Sequence, residues 1–151
     1  MAEKQFQNSS EFKLKKCTIS KGDGSNTFSL LTGDVIVSIS FHESLFHPFL
    51  AGSLMLSDST GFITNFPIQG GEIVEMEIST SLDDQANKGQ PTKYKLKVVR
   101  IVGRTIKENK QLYTLVLISE EAFVNEIVRL EDPLSGKPDE LVTKLVREKL
   151  K

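Results

Sequence analysis

The stretch from Val35 to Ile78, VIVSISFHESLFHPFLAGSLMLSDSTGFITNFPIQGGEIVEMEI, decides the fold. Val35, Val37, Ile39 and Phe41 recur at every second position, opposite Ser38, Ser40 and His42. Side chains alternate across a strand, so this period predicts a strand with one apolar face. Gly52–Leu56 (GSLML) predicts a second strand, with Leu54 and Leu56 together. Ile73–Thr80 predicts a third, with Val74, Met76 and Ile78 inward and Glu75 and Glu77 outward. The connection ESLFHPFLA is unusually apolar. Large apolar turns are unfavourable in water, so Leu45, Phe46, Phe49 and Leu50 are expected to plug one end of the sheet. In the next connection, the Asp58 carboxylate is placed to accept amide protons at the start of a short helical turn. Phe62, Ile63 and Phe66 would face the core from that turn. Pro67 limits its continuation, and Gly70 and Gly71 mark re-entry into a strand.

Working outward, Phe12 to Ile19 predicts a first strand, with Phe12 and Leu14 opposite Lys13 and Lys15. KGDGSN, from Lys21 to Asn26, is a turn sequence. Thr92 to Thr105 is the longest strand candidate, with a bulge or bend expected at Gly103. Lys107 to Lys110 is a turn, and Gln111 to Ser119 returns as the second arm of a hairpin. The period then changes. Phe123, Ile127 and Leu130 are three or four apart, which is helical. Asp139 to Leu150 repeats the pattern, with Leu141, Val142, Leu145, Val146 and Leu150 on one side.

About six antiparallel strands followed by helices predict a mainly β fold, a closed or nearly closed barrel with C-terminal helices. The expected division is a flexible arm over 1–11, a barrel over 12–119 and a helical segment over 120–151. The segment 81–91 is the most polar stretch, an expected exposed loop. The second helix lacks a glycine cap, so the natural polypeptide is expected to continue towards a further domain.

The 151 residues suit one domain able to bury a core. With 38% hydrophobic and 26% charged residues, the composition is that of a globular protein. A net charge of -1 supplies no overall field towards nucleic acid or anionic lipid, so sequence-specific nucleic-acid binding is not expected; no apolar run approaches the roughly 20 residues that span a bilayer, so neither is a membrane anchor. The N-terminus lacks the apolar core of a signal peptide, which points to synthesis in the cytoplasm. Cys17 is the single cysteine, which excludes an internal disulfide and a four-cysteine zinc site. It is expected as a buried strand residue.

Candidates for chemistry are sparse. His42 and His47, with Glu43 between them, have no standard metal spacing and no local third ligand. Asp23 lacks the later ligands of a calcium loop. The serines around Asp58 have no histidine partner in a motif. Gly70–Glu72 is too short to cradle a phosphate. Asp83 and Asp84 sit in the polar loop, where solvated charge is the default. Lys93, Lys95 and Lys97, with Arg100 and Arg104, alternate along one strand as Lys13 and Lys15 do along another. Should those strands be neighbours, they would form a basic stripe; the plainer expectation is a solvated outer face with lysines guarding a strand edge. No catalytic, cofactor-binding or metal residue is assigned, no cofactor is expected, and an enzyme ranks lowest.

The order of features carries one resemblance. A strand is followed by Glu43, Ser44, Leu45 and Phe46, then by Gly52 and an aliphatic strand ending at Asp58. Pro67, Ile68, Gly70 and Glu72 come next, then an alternating strand. Late in the chain, a hairpin ends at Ser119 and Glu120 and SGKPDELVTKLVREKL follows. This resembles the N-terminal region of baseplate hub proteins of contractile-tailed bacteriophages, over most of residues 12–151. The resemblance implies an antiparallel, tail-tube-like β-barrel in a virion. It implies a homo-oligomeric, trimeric ring joining tail tube and spike proteins, without catalytic residues. Hub proteins are usually longer and carry a second barrel. The alternative is a small-ligand or carbohydrate-binding β-barrel module.

Overall fold

The computed structural model describes residues 12–32, 35–80, 90–127 and 136–149. The arm over 1–11, most of the polar loop, Leu130, Leu150 and the Val146 side chain lie outside the described residues.

Among the described residues, seven strands form one sheet: β1 (Phe12–Ser20), β2 (Phe28–Ser29), β3 (Ile36–Ser44), β4 (His47–Asp58), β5 (Ile73–Thr80), β6 (Thr92–Lys107) and β7 (Lys110–Ser119). Their order is β2-β1-β5-β6-β7-β4-β3, and every pairing is antiparallel. The sheet curls, because Phe41 on β3 stacks on Tyr94 on β6 at 4.4 Å although β4 and β7 lie between those strands. The edges β2 and β3 are not paired with each other. The architecture is therefore a curled half-barrel, mainly antiparallel β with C-terminal helices, rather than a closed barrel.

Alternation builds the core. Ile19, Leu54, Leu56, Val74, Met76, Val98, Leu115 and Leu117 are fully buried on the inner face, each such burial stabilising by roughly 1.5–3 kcal/mol. Val74, Met76 and the outward Glu75 and Glu77 fall as expected, within the expected strand bounds. Cys17 is buried in β1, and that burial pushes its thiol pKa up to about 11.

Bulges change the phase elsewhere. β1 slips between Leu14 and Lys16, which brings Cys17 and Ile19 to the inner face, while Phe12, the first residue of the strand, is 63% exposed. β3 slips between Ile36 and Ser38, and Val37 turns outward instead of sharing a face with Ile39 and Phe41. One inserted residue moves all that follows to the other side. β6 slips between Val102 and Thr105, where Gly103 takes φ 64°, the bulge that its glycine suggests.

The expected plug at Leu45–Leu50 is corrected. β3 and β4 keep pairing out to Ser44 opposite His47, which leaves a two-residue tip. There Leu45 and Phe46 are 103% and 91% exposed. Each added strand pair satisfies backbone groups and carries the tip farther from the core. Only Leu50 packs against the core, and Phe49 is half-buried.

An aromatic cluster forms instead at the opposite end. Helix α1 (Phe62–Asn65) holds Phe62 stacked on Phe66 at 5.4 Å, and Phe28 from β2 meets Phe66 edge-on at 5.2 Å. Helix α2 (Glu120–Ile127) lies against the outer face, with Phe123 under the Lys97 ammonium at 5.0 Å. Helix α3 (Pro138–Lys149) buries none of its described side chains; Val142 is 61% exposed, outside the apolar cluster expected of it.

Candidate functional site

The residue sets singled out for chemistry are dispersed or committed to structure. His42 stands opposite Ala51, and His47 opposite Ser44. Both are exposed, and among the described residues no three His, Cys, Asp or Glu side chains converge on a metal position. The Asp23 carboxylate accepts the Ser25 amide at 2.8 Å, which closes a local turn; the Ser25 hydroxyl first, then that amide, lowers its pKa. The Tyr113 hydroxyl is buried without a hydrogen-bond partner among the described residues; burial, then the nearby Asp58 charge, pushes its pKa up.

Two buried acids shape the connection between β4 and β5. Asp58 accepts the Thr60 amide at 2.9 Å and the Ile63 amide at 3.1 Å. It supplies the capping role that Gly61, the residue before α1, has no side chain to perform. Burial pushes the Asp58 pKa up, but amide hydrogen bonds from Phe62, Ile63 and Thr60 together outweigh it and hold the pKa low. Glu72 accepts the Gln69 amide at 2.8 Å and the Gly70 amide at 2.9 Å, with the Lys21 ammonium 3.5 Å away. Lys21 also donates to the Pro67 carbonyl and lies 4.4 Å over the Phe66 ring. The Pro-Ile-Gln-Gly-Gly-Glu element is thus a self-bonded loop. The burial of Glu72 escapes sequence inspection; the one hint is an acid just after two glycines whose φ values, 103° and 85°, demand support.

The basic stripe does not form. β5 separates β1 from β6 and inserts Glu75 and Glu77 between the lysines. Lys16 pairs with Glu75 at 2.8 Å, raising the lysine pKa and lowering that of the glutamate. Lys95 and Lys97 share Glu120 at 3.1 and 3.3 Å, and their hydrogen bonds lower its pKa. The outer face is a mixed-charge lattice, and because β6 lies inside the sheet its lysines guard no strand edge.

What remains is surface suited to contact. At one end of the strands stands the Leu45–Phe46 tip. Beside it a groove of about 310 Å³ lies between the β3–β4 hairpin and α2, with His42 and His47 on its wall. At the other end stands the β6–β7 tip, where Lys107 faces Lys110 and Ile106 is 68% exposed. β3 offers a nine-residue edge without a second neighbouring strand among the described residues.

No protein-family model matches this chain, and no curated protein does. Among solved structures, a chain of "Structure of Francisella PdpA-VgrG Complex, half-lidded" is similar, with a TM-score of 0.46 and 13% identity. The match covers 87% of this chain and 22% of that one, so this chain spans about a fifth of the length of the chain it matches. No helix among the described residues is long and apolar enough to cross a membrane.

Proposed function

We propose that this chain is a structural assembly subunit: a baseplate hub protein of a contractile phage tail, forming a trimeric ring between tail tube and central spike. The observation that carries this proposal is the pair of sheet edges. Among the described residues, β3 pairs with β4 alone, and β2 reaches β1 only at Thr18 and Ile19. Six antiparallel strands run from β1 to β3, so those two strands point in opposite directions. Rotation about an axis along the strands would bring β3 of one copy beside β1 of the next in antiparallel sense. A heterologous contact of this kind closes into rings, and it covers an edge that is otherwise an aggregation hazard. Val37 lies on that rim and Leu45 and Phe46 at its end, and all three are exposed in the single chain.

The residue order from Phe41 to Glu72 supports the same role. No chemical step belongs to it, and its place is the assembled virion after synthesis in the host cytoplasm. The test is the mass of the full chain in solution, with negative-stain images of the particles. A ring of three copies is expected, and Val37→Lys combined with Phe46→Asp should leave a folded monomer. A stable monomer without affinity for tail components would defeat the proposal. Binding of an oligosaccharide along the β6 face would favour a carbohydrate-binding module instead.

A further inference from the structure

We infer that the two ends of the strands are complementary docking surfaces, and that the β6–β7 tip of one copy seats in the groove beside α2 of a second copy. The contact lies at the strand ends, so it goes beyond the lateral ring contact and uses no sheet-edge hydrogen bonds.

The tip is built for an acidic, partly apolar partner. Lys107 and Lys110 are a directly opposed strand pair, and like charges so placed repel. Arg104 is exposed two residues before Ile106, and Glu108 is the sole acid of the turn. Ile106, 68% exposed, is a bare apolar knob among these cations. No ion pair among the described residues engages Lys107 or Lys110. Among the described residues, no ion pair therefore offsets the repulsion.

The groove has the converse chemistry. Phe49, Ala51, Ile118 and Ala122 supply apolar floor, and Glu43 and Glu126 supply exposed carboxylates. Its volume of about 310 Å³ admits a branched aliphatic side chain with neighbouring stems. The ends are remote within one copy. Lys110 begins β7 and Ile118 lies near its end, a separation of roughly 25 Å at strand rise. The tip thus reaches this groove only in another molecule. Both surfaces occur once per chain at opposite ends, so the contact is head to tail.

The test is sedimentation velocity of the full chain at ~50 mM and ~500 mM salt, where screening differs strongly. Two charge-reversed variants are compared, Lys107→Glu with Lys110→Glu, and Glu43→Lys with Glu126→Lys. All four positions are exposed, so folding should be unchanged, as circular dichroism would verify. Wild type should associate at low salt and revert at high salt to its smallest unit. Each variant alone should lose about tenfold or more in association constant. An equimolar mixture should regain it, since reversed tip then meets reversed groove. Salt-independent behaviour of wild type, a variant that associates normally, or a mixture that stays apart would overturn the inference. So would wild-type binding to a DNA duplex that is lost in the tip variant while self-association persists, which would assign the tip to polyanions. Failure of the ring proposal appears separately, as a smallest unit of one chain at high salt.

Discussion

The connections Glu43–His47 and Asp58–Glu72 are both rich in large apolar residues, yet one stands in solvent and the other is packed. The difference is in the backbone. The first closes as a hairpin whose strands satisfy each other up to the tip, with only the Phe46 amide returning to Ser44 Oγ at 3.2 Å. Its length then carries Leu45 and Phe46 beyond anything they could pack on. The second leaves the ladder. Its orphan amides are taken up by the buried carboxylates of Asp58 and Glu72, which holds Phe66 over the core at 2% exposure. Apolar content alone did not distinguish the two; acceptors for freed amides did.

The largest break in this contrast is Phe66→Ala, which should cost about 3–5 kcal/mol in chemical denaturation, because it empties the centre of the aromatic cluster. Glu72→Ala should cost about 2–3 kcal/mol, since the Gln69 and Gly70 amides lose a charged acceptor. Asp58→Ala should cost about 2 kcal/mol, as loss of a cap does. Asp58 also has a pH signature. Its folded pKa is lowered, so its contribution is complete above the unfolded value of about 3.9 and is lost as pH falls through the folded pKa. Urea melts of wild type and Asp58→Ala should therefore converge in acid below that range; a constant gap down to strong acid would contradict the hydrogen-bond account. Gly70→Ala, at φ 103°, should cost about 1–2 kcal/mol from backbone strain.

The smallest expected effects sharpen the other side. Leu45→Ser and Phe46→Ser should each shift folding stability by no more than about 0.5 kcal/mol, since both side chains are already in water. Their effect should appear in oligomer mass instead. A large loss of monomer stability in either would restore the plug that the structure removed.

Much of the framework was legible from local pattern. The bounds of β5, the Lys107–Lys110 turn, the Gly103 bulge, the Asp58 cap and the inward Phe62 and Phe66 follow from period, glycine and capping chemistry. The misjudged positions share a cause. Val37 moved because a bulge of one residue is invisible in a run of apolar letters. The basic stripe dissolved because strand order, which intercalates β5, is set by pairing between distant segments. The candidate docking ends were half visible: KENK marks a turn, but only the register places Lys107 against Lys110.

By itself the sequence determined most of the strands, the helices and the main turns, since alternation, glycine and proline act over a few bonds; it missed β2 and the first residues of β4. The tertiary structure alone decided that the sheet curls without closing, that Asp58 and Glu72 are interior, and that two chemically opposite ends face away from one another. Those are consequences of register and strand order, and both are fixed by long-range backbone hydrogen bonds and by the single inner face that the core can fill.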